Sequence, residues 1–353
     1  MRVLYVTGRE VGYSRTRNVR KGLEKAGISV TALAPPRHSL AHYPGLLRRA
    51  YAASHSADAI VVGFYGQILL PFLKLTGKPI LFDVYISTFD TLILDRRLAS
   101  PRSPLAWASW MLDHISLRLA DRVVLETQDH IRDYARKFHV PQDKFHRVFL
   151  CADEEVIYPR DGQEDDGFWV HFHGEYAPFH GVRFIVEAAR ILEPEGVRFR
   201  IIGRGITSDA DRGYARQLGL GNIEFMDRVP YESLAEYMSR AHICLGFFGD
   251  NPRAERVFTN KVVESLGAGR PLITRINQPV QELLQHRWNA YLCQPGSGEA
   301  LAEAIRELRS QPELRREMAR RARETFLQNC TTAALGKQFR TILEGMLNHG
   351  FDA

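Results

Sequence analysis

The chain has 353 residues, 45% of them apolar and 25% charged, with a formal net charge of +6. That length suits two domains rather than one core, and the composition excludes disordered, fibrous and disulfide-scaffold chains. The longest uncharged run, residues 59–73, is shorter than the roughly 20 residues of a spanning helix and contains Gly and Pro.

In chain order, RVLYVTG reads as a strand, SRTRNVRKGLEKAG as a helix closed at Gly27, and ISVTALAP as the next strand. Gly8 and Glu10 interrupt the start before a long apolar run forms, so no secretory leader is expected. Residues 1–50 carry ten Lys/Arg against two Asp/Glu, an excess of eight. Such an excess suits phosphates, nucleic acid or an acidic membrane, or is simply a solvated basic face. Within it, HYPGLLRRAYAAS (42–54) sets Leu46, Leu47, Ala50 and Tyr51 beside Arg48 and Arg49 at the spacing of a short amphipathic helix. That helix suits an anionic lipid surface; in the alternative, Leu46 and Leu47 are core. ADAIVVGF, KPILFDVY and DRVVLETQ continue the strands. The strand–helix rhythm predicts a parallel sheet covered on both faces.

Residues 152–167, ADEEVIYPRDGQEDDG, are acidic and weakly periodic, and form the candidate linker. The rhythm then restarts with FWVHFHG, VRFRIIG, NIEFMD, HICLGFFG, RPLITR and NAYLCQP. Two doubly wound α/β domains are therefore expected. Strands ending near Gly8, Gly174, Gly203 and Gly249 would let backbone approach a ligand beyond the carboxyl edge of each sheet. The first turn spaces its glycines GxxxG (Gly8 and Gly12), and the second strand ends without an acid for a ribose, so no dinucleotide site is expected there. Cys151, Cys244, Cys293 and Cys330 are scattered, as in a reduced cytoplasmic protein.

The stretch RVFTNKVVESLGAG (256–269) places charges where a buried segment would carry only apolar residues. Thr259 can cap a helix from about Asn260 to Leu266, whose first-turn amides and dipole suit a diphosphate. Arg256 and Lys261 add positive charge beside those amides. In the plainer reading, Lys261 is a surface lysine and Arg256 pairs with Glu255. Glu264, one turn deeper, suits two ribose hydroxyls, or else makes a simple helix pair with Lys261.

These residues resemble the retaining glycosyltransferases of family 4, which have the GT-B fold. The resemblance runs through HGEYAPFHGVRFIVEAARIL, VRFRIIGRG, NIEFMDRVPYESLAEYMSRAHICLGFF, RVFTNKVVESLGAGRPLIT and NAYLCQPGSGEALAEAIREL. It implies two Rossmann-like domains facing a central cleft: an acceptor domain at 1–158 and a nucleotide-sugar domain at 159–330. A closing helix at 331–353 would cross back to the first domain. The family's ribose-binding glutamate falls on Glu264. Its usual Arg is Glu175 here, its usual Lys is His180, and its first glutamate is Arg256. The sequence is closer to a subgroup with Pro178, His180, Gly181, Asn260 and Lys261, in which Arg256 and Lys261 would neutralise the diphosphate; in the alternative, the Arg256 replacement marks a changed donor with an acidic sugar.

The resemblance implies a donor set of Gly8, Gly12, Gly174, Glu175, His180 and Gly203. It continues with Arg204, Arg228, Val229, Phe258, Thr259, Asn260, Lys261 and Glu264. Arg256 is the expected catalytic cation, with Tyr85 and Asp83 nearest the family's polar position beside the acceptor. His171 and His173 alternate on one strand, and Asp83, Asp90 and Asp95 lie close in sequence; neither group reads as a metal site. The expected donor is a sugar on UDP or GDP, with no cofactor, no metal and no nucleic-acid partner. The acceptor expected is a lipid-linked molecule or a polysaccharide, reached from the cytoplasm or from the inner face of an anionic membrane. A sugar-nucleotide epimerase and an inactive nucleotide-sugar-binding protein are the competing readings.

Overall fold

The computed structural model describes residues 1–9, 12–37, 39–96, 98–160 and 166–348. Contacts divide it into two compact units, Met1–Phe149 with the segment from Thr332, and Leu150–Thr331.

The first unit alternates β1 (Arg2–Val6), α1 (Ser14–Lys25), β2 (Ser29–Leu33), α2 (Tyr43–Ser54), β3 (Ala59–Val62) and α3 (Leu70–Lys74). It continues with β4 (Ile80–Asp83), α4 (Pro104–Leu119), β5 (Arg122–Leu125), α5 (Gln128–Lys137) and β6 (Phe145–Arg147). The strands are parallel in the order β2-β1-β3-β4-β5-β6. β3 and β4 are buried at every residue because helices cover both faces, whereas the edge strand β2 is only partly covered.

The second unit runs β7 (Phe168–His173), α6 (Val182–Leu192), β8 (Val197–Ile202), α7 (Ser208–Gln217), β9 (Ile223–Met226) and α8 (Leu234–Ser239). Next come β10 (Ile243–Leu245), α9 (Asn260–Gly267), β11 (Leu272–Arg275), α10 (Gln278–Gln281), β12 (Tyr291–Cys293), α11 (Gly298–Ser310) and α12 (Pro312–Asn329). Its six parallel strands are ordered β12-β11-β10-β7-β8-β9. On α6, Val182, Ile185, Ala189 and Leu192 repeat at helical spacing and are buried in the unit's core.

α13 (Thr332–Asn348) returns to the first unit and lies on α1. The close approach is set by glycine: a Cβ on Gly336 would stand 1.9 Å from the Gly22 carbonyl oxygen. The units divide after Phe149, not after residue 158 as the acidic stretch had indicated. Ala152 already belongs to the second unit, its N–H donating to the Cys330 carbonyl at 3.0 Å, and Ile157 is fully buried. Residues 161–165 of the expected linker lie outside the described residues. All four cysteines are buried.

α2 forms where the sequence placed a helix, but its apolar side is turned inward. Leu46 and Ala50 are core residues and Leu47 packs against them. Arg48, Arg49 and Tyr51 stay exposed. The apolar stripe read as a lipid-facing surface is thus taken up by the unit's own sheet. No helix among the described residues is long and apolar enough to cross a membrane.

Two strand-end glycines have the backbone that only glycine adopts freely, Gly174 with φ 138° and Gly203 with φ 134°. A Cβ on Gly203 would fall 1.9 Å from the Gly174 carbonyl oxygen. Gly203→Ala is therefore expected to cost on the order of 3 kcal/mol, from strain and overpacking together. Gly12→Ala is the contrast, since its Cβ would meet nothing within 4 Å. Thermal melts of the two variants check this: a large drop is expected only for Gly203→Ala.

Candidate functional site

In the second unit the strand order reverses between β7 and β10, where a doubly wound sheet opens a crevice beyond its carboxyl ends. β7 ends at His173 and passes into Gly174. A Cβ on Gly174 would lie 2.8 Å from Lys261 Cε and 3.0 Å from Nζ. The absent side chain lets the lysine head lie over the strand end. Lys261 comes from α9, the helix that follows β10.

Lys261 is buried, with Nζ 2.8 Å from His180 Nε2 and 5.3 Å from the centre of the Phe172 ring. His180 Nδ1 faces the Glu175 carbonyl oxygen. A carbonyl oxygen only accepts, so Nδ1 carries the proton and the bare Nε2 accepts from the lysine. Burial, and then the Lys261 charge, push this imidazole well below the usual histidine range and keep it neutral. Burial also pulls Lys261 down to about 7, against the opposing pull of Glu264 and Glu175.

Glu264, one turn along α9, is buried with Oε2 2.8 Å from His173 Nε2. His173 Nδ1 in turn lies 3.0 Å from His171 Nε2. The carboxylate can only accept, so His173 donates to it from Nε2; with that ring neutral, Nδ1 accepts from the His171 Nε2–H. His171 Nδ1 is buried with no partner among the described residues, and burial holds this ring neutral. The alternating histidines are therefore a relay behind Glu264. Among the described residues, no three His, Cys, Asp or Glu side chains form a group that could hold a metal.

The helix start differs from expectation in one detail. Thr259 occupies the N-cap position with extended backbone, but its side chain makes no capping bond. Its Oγ1 is buried without a partner among the described residues. Phe258 is buried beside it and Asn260 opens the helix half-covered. The alternative Lys261–Glu264 helix pair is not the main contact of either residue, because each is held by its own histidine.

Arg256 is half-buried in the loop before α9, its Nε donating to the Pro252 carbonyl at 3.2 Å. Glu255 pairs not with Arg256 but with Arg275 of β11. Arg275 is fully buried and also donates to the carbonyls of Gly249 and Ile276. This arginine fixes the loop that carries Arg256, and nothing in the ordinary strand pattern around it signals that role.

At the same strand edge, Glu175 accepts from Arg228 at 3.2 Å and Arg204 donates to Asp227 at 2.8 Å. All four side chains are exposed, so these pairs contribute little to stability. Val229 follows, half-covered.

Gly8 and Gly12 belong to the first unit, whose own strand order reverses between β1 and β3. Gly8 is packed, a Cβ there lying 2.2 Å from the Tyr65 carbonyl oxygen. Beyond this edge Phe64 stacks on Tyr13 at 4.4 Å and meets Tyr85 edge-on at 5.2 Å. Tyr65 and Tyr85 have φ of 58° and 55°, in the left-handed region that costs non-glycine residues about 1–2 kcal/mol each. Asp83 is buried at the end of β4, where Arg15 holds both its oxygens: Nε to Oδ2 at 3.0 Å and Nη2 to Oδ1 at 2.8 Å. Arg15 is one of the ten Lys/Arg of residues 1–50 and here is buried rather than part of a solvated face. Asp90, weighed as a metal ligand, pairs with Lys137 at 3.0 Å.

Comparison with known proteins agrees with the resemblance read in the sequence. Residues 180–341 match the family described as glycosyl transferase-like. The chain is 25% identical over 320 residues to an alpha-D-kanosaminyltransferase of Streptomyces kanamyceticus, covering 84% of this chain and 78% of that one. It is 22% identical over 177 residues to an uncharacterized glycosyltransferase of Methanocaldococcus jannaschii, 50% of this chain and about half the length of that relative, 47%. HepE of Anabaena, solved with UDP and glucose, superposes with a TM-score of 0.72 at 15% identity, over 98% of this chain and 100% of that one. The fold is the two-domain α/β GT-B fold, as the strand rhythm and the family resemblance implied.

Proposed function

Because residues 180–341 are glycosyl transferase-like and the chain takes the GT-B fold, we propose that it moves a sugar from a nucleoside diphosphate to an acceptor hydroxyl, with retention. The observation that carries this reading is the pair on the first turns of α9: buried Lys261 at the strand-end glycine, and buried Glu264 one turn deeper. The cation and the helix amides suit a diphosphate. The carboxylate, with Oε1 outside the histidine relay, suits the vicinal hydroxyls of a ribose. UDP and GDP share both groups; the UDP held by HepE supports the uridine nucleotide first.

In the transfer, the bond from the sugar's anomeric carbon to the diphosphate breaks and a bond to the acceptor oxygen forms on the same face. The acceptor proton passes to the departing diphosphate. The chain's part is to stabilise the charge gathering on that leaving group, through Lys261, Arg256 and the α9 amides, and to orient both substrates. The first unit would take the acceptor at the edge formed by Tyr13, Phe64 and Tyr85, with the Arg15–Asp83 pair as the support under it. Exposed Arg48 and Arg49 favour an acceptor presented on an anionic lipid surface, or an anionic polysaccharide.

A panel of UDP- and GDP-sugars in thermal-shift assays, followed by assay of nucleoside diphosphate release, tests the reading. Release is expected only when acceptor is added, and EDTA is expected to leave the rate unchanged because cationic side chains and amides supply the positive charge. Stabilisation by none of the sugar nucleotides would overturn the proposal; a rate restored only by Mg²⁺ or Mn²⁺ would overturn the charge assignment.

A further inference from the structure

We propose that His180 is a positioning residue, a neutral acceptor that aims Lys261, and that this couple takes up one proton when a nucleoside diphosphate binds. The inference rests on the donor site assigned to α9. It also explains why a histidine occupies the place where the resembling family has its usual lysine.

The geometry permits one arrangement of protons. His180 Nδ1–H is committed to the Glu175 carbonyl, so Nε2 offers a lone pair to Lys261 Nζ at 2.8 Å. His180 itself is fixed by its neighbours, since the Phe248 N–H donates to its carbonyl at 3.0 Å and it precedes Gly181, whose φ is 65°. A lysine at position 180 would put two ammonium groups into this buried space. A neutral imidazole instead gives Lys261 a direction without a second charge.

The surroundings leave the lysine short of counter-charge. On its own helix, the carboxylate of Glu264 is engaged by His173. From β7 and the turn after it, His173, Glu175 and neutral His180 face the couple, and Glu175 pairs with Arg228 at 3.2 Å. Arg253, in the loop before α9, adds like charge. Among the described residues no carboxylate lies within ion-pair distance of Lys261 Nζ. A buried ammonium in that setting holds its proton weakly, and an arriving diphosphate restores it.

The sign follows from linkage. Burial holds Lys261 at about 7, and the negative charge of a diphosphate beside it raises that value. Binding therefore takes up little of a proton at pH 6, where the lysine is already charged, and most of one at pH 8. Affinity is full below pH 7 and falls about tenfold per unit above it, until the pH reaches the raised value of the complex.

Calorimetry with UDP-glucose at pH 6 and pH 8, in buffers of different ionisation enthalpy, reads the proton count directly. The intact sugar nucleotide serves as probe because its diphosphate does not titrate in this range. Expected results are uptake at pH 8 only, its loss in Lys261→Met, and a roughly tenfold weaker complex for His180→Phe that His180→Gln largely restores. Equal proton counts at both pH values, or uptake that persists in Lys261→Met, would overturn the proposal. Equal affinities for His180→Phe and His180→Gln would remove its positioning role. Failure of UDP-glucose and of GDP-mannose to bind at any pH would instead overturn the donor-site reading beneath it.

Discussion

Glu264→Ala is expected to weaken binding of the sugar-nucleotide donor by about 10- to 150-fold while the chain still folds. The range is the 1.5–3 kcal/mol of hydrogen bonds to a charged group, converted at 1.4 kcal/mol per decade. The alanine also leaves His173 Nε2–H facing nothing in a buried place. That separate loss of about 1–3 kcal/mol should appear in the melting temperature of the empty protein. Glu264→Gln distinguishes the two effects. Its amide oxygen can still accept from His173, so stability should stay near that of the parent, while the charge offered to the ribose is gone. Calorimetric titration of both variants beside their melts is the measurement. Unchanged donor affinity in both would show that Glu264 serves the histidine relay alone.

Much of this site could be read from the sequence because its main features are local. Gly174 and Gly203 stand at strand ends, and Thr259 to Glu264 form one turn of helix, so residue type and spacing sufficed to place them. The period-two spacing also put His171 and His173 on one face. What it could not give was the partner, since Glu264 lies 91 residues further along the chain. The same limit hid Arg15, 68 residues from Asp83, and Arg275, 20 residues from Glu255. In α2 the difficulty was of another kind. An amphipathic stripe has the same spacing whether it meets a sheet or a lipid surface, and only the folded unit shows that Leu46 and Ala50 meet the sheet. The unit boundary was misplaced because an acidic, weakly periodic run resembles a linker even where its first residues are packed, as Ile157 is.

Asp83 carries the other large expected effect, and it bears on whether this residue acts on the acceptor or on the fold. Both its oxygens are engaged by Arg15, and the pair is almost completely buried, the side chains 4% and 1% exposed. Asp83→Ala should therefore cost about 3–5 kcal/mol, most of it the penalty of a buried guanidinium that has lost this carboxylate. That penalty is not a measure of what the pair contributes, because taking two charges out of water is itself unfavourable. Replacing both partners, Arg15→Met with Asp83→Leu, removes the stranded charge and should recover most of the lost stability. The double-mutant cycle then isolates the interaction between the two side chains. Urea unfolding of the two single variants and the double variant gives the stability side, and the donor-and-acceptor assay gives the other. If the double variant regains both stability and turnover, Asp83 is only a support beneath the acceptor edge. Should stability return while turnover stays low, with donor affinity unaltered, the carboxylate or its arginine orients the acceptor through Tyr85, whose ring lies 6.0 Å from the Arg15 guanidinium. A single Asp83→Ala variant as stable as the parent would contradict the buried pair itself.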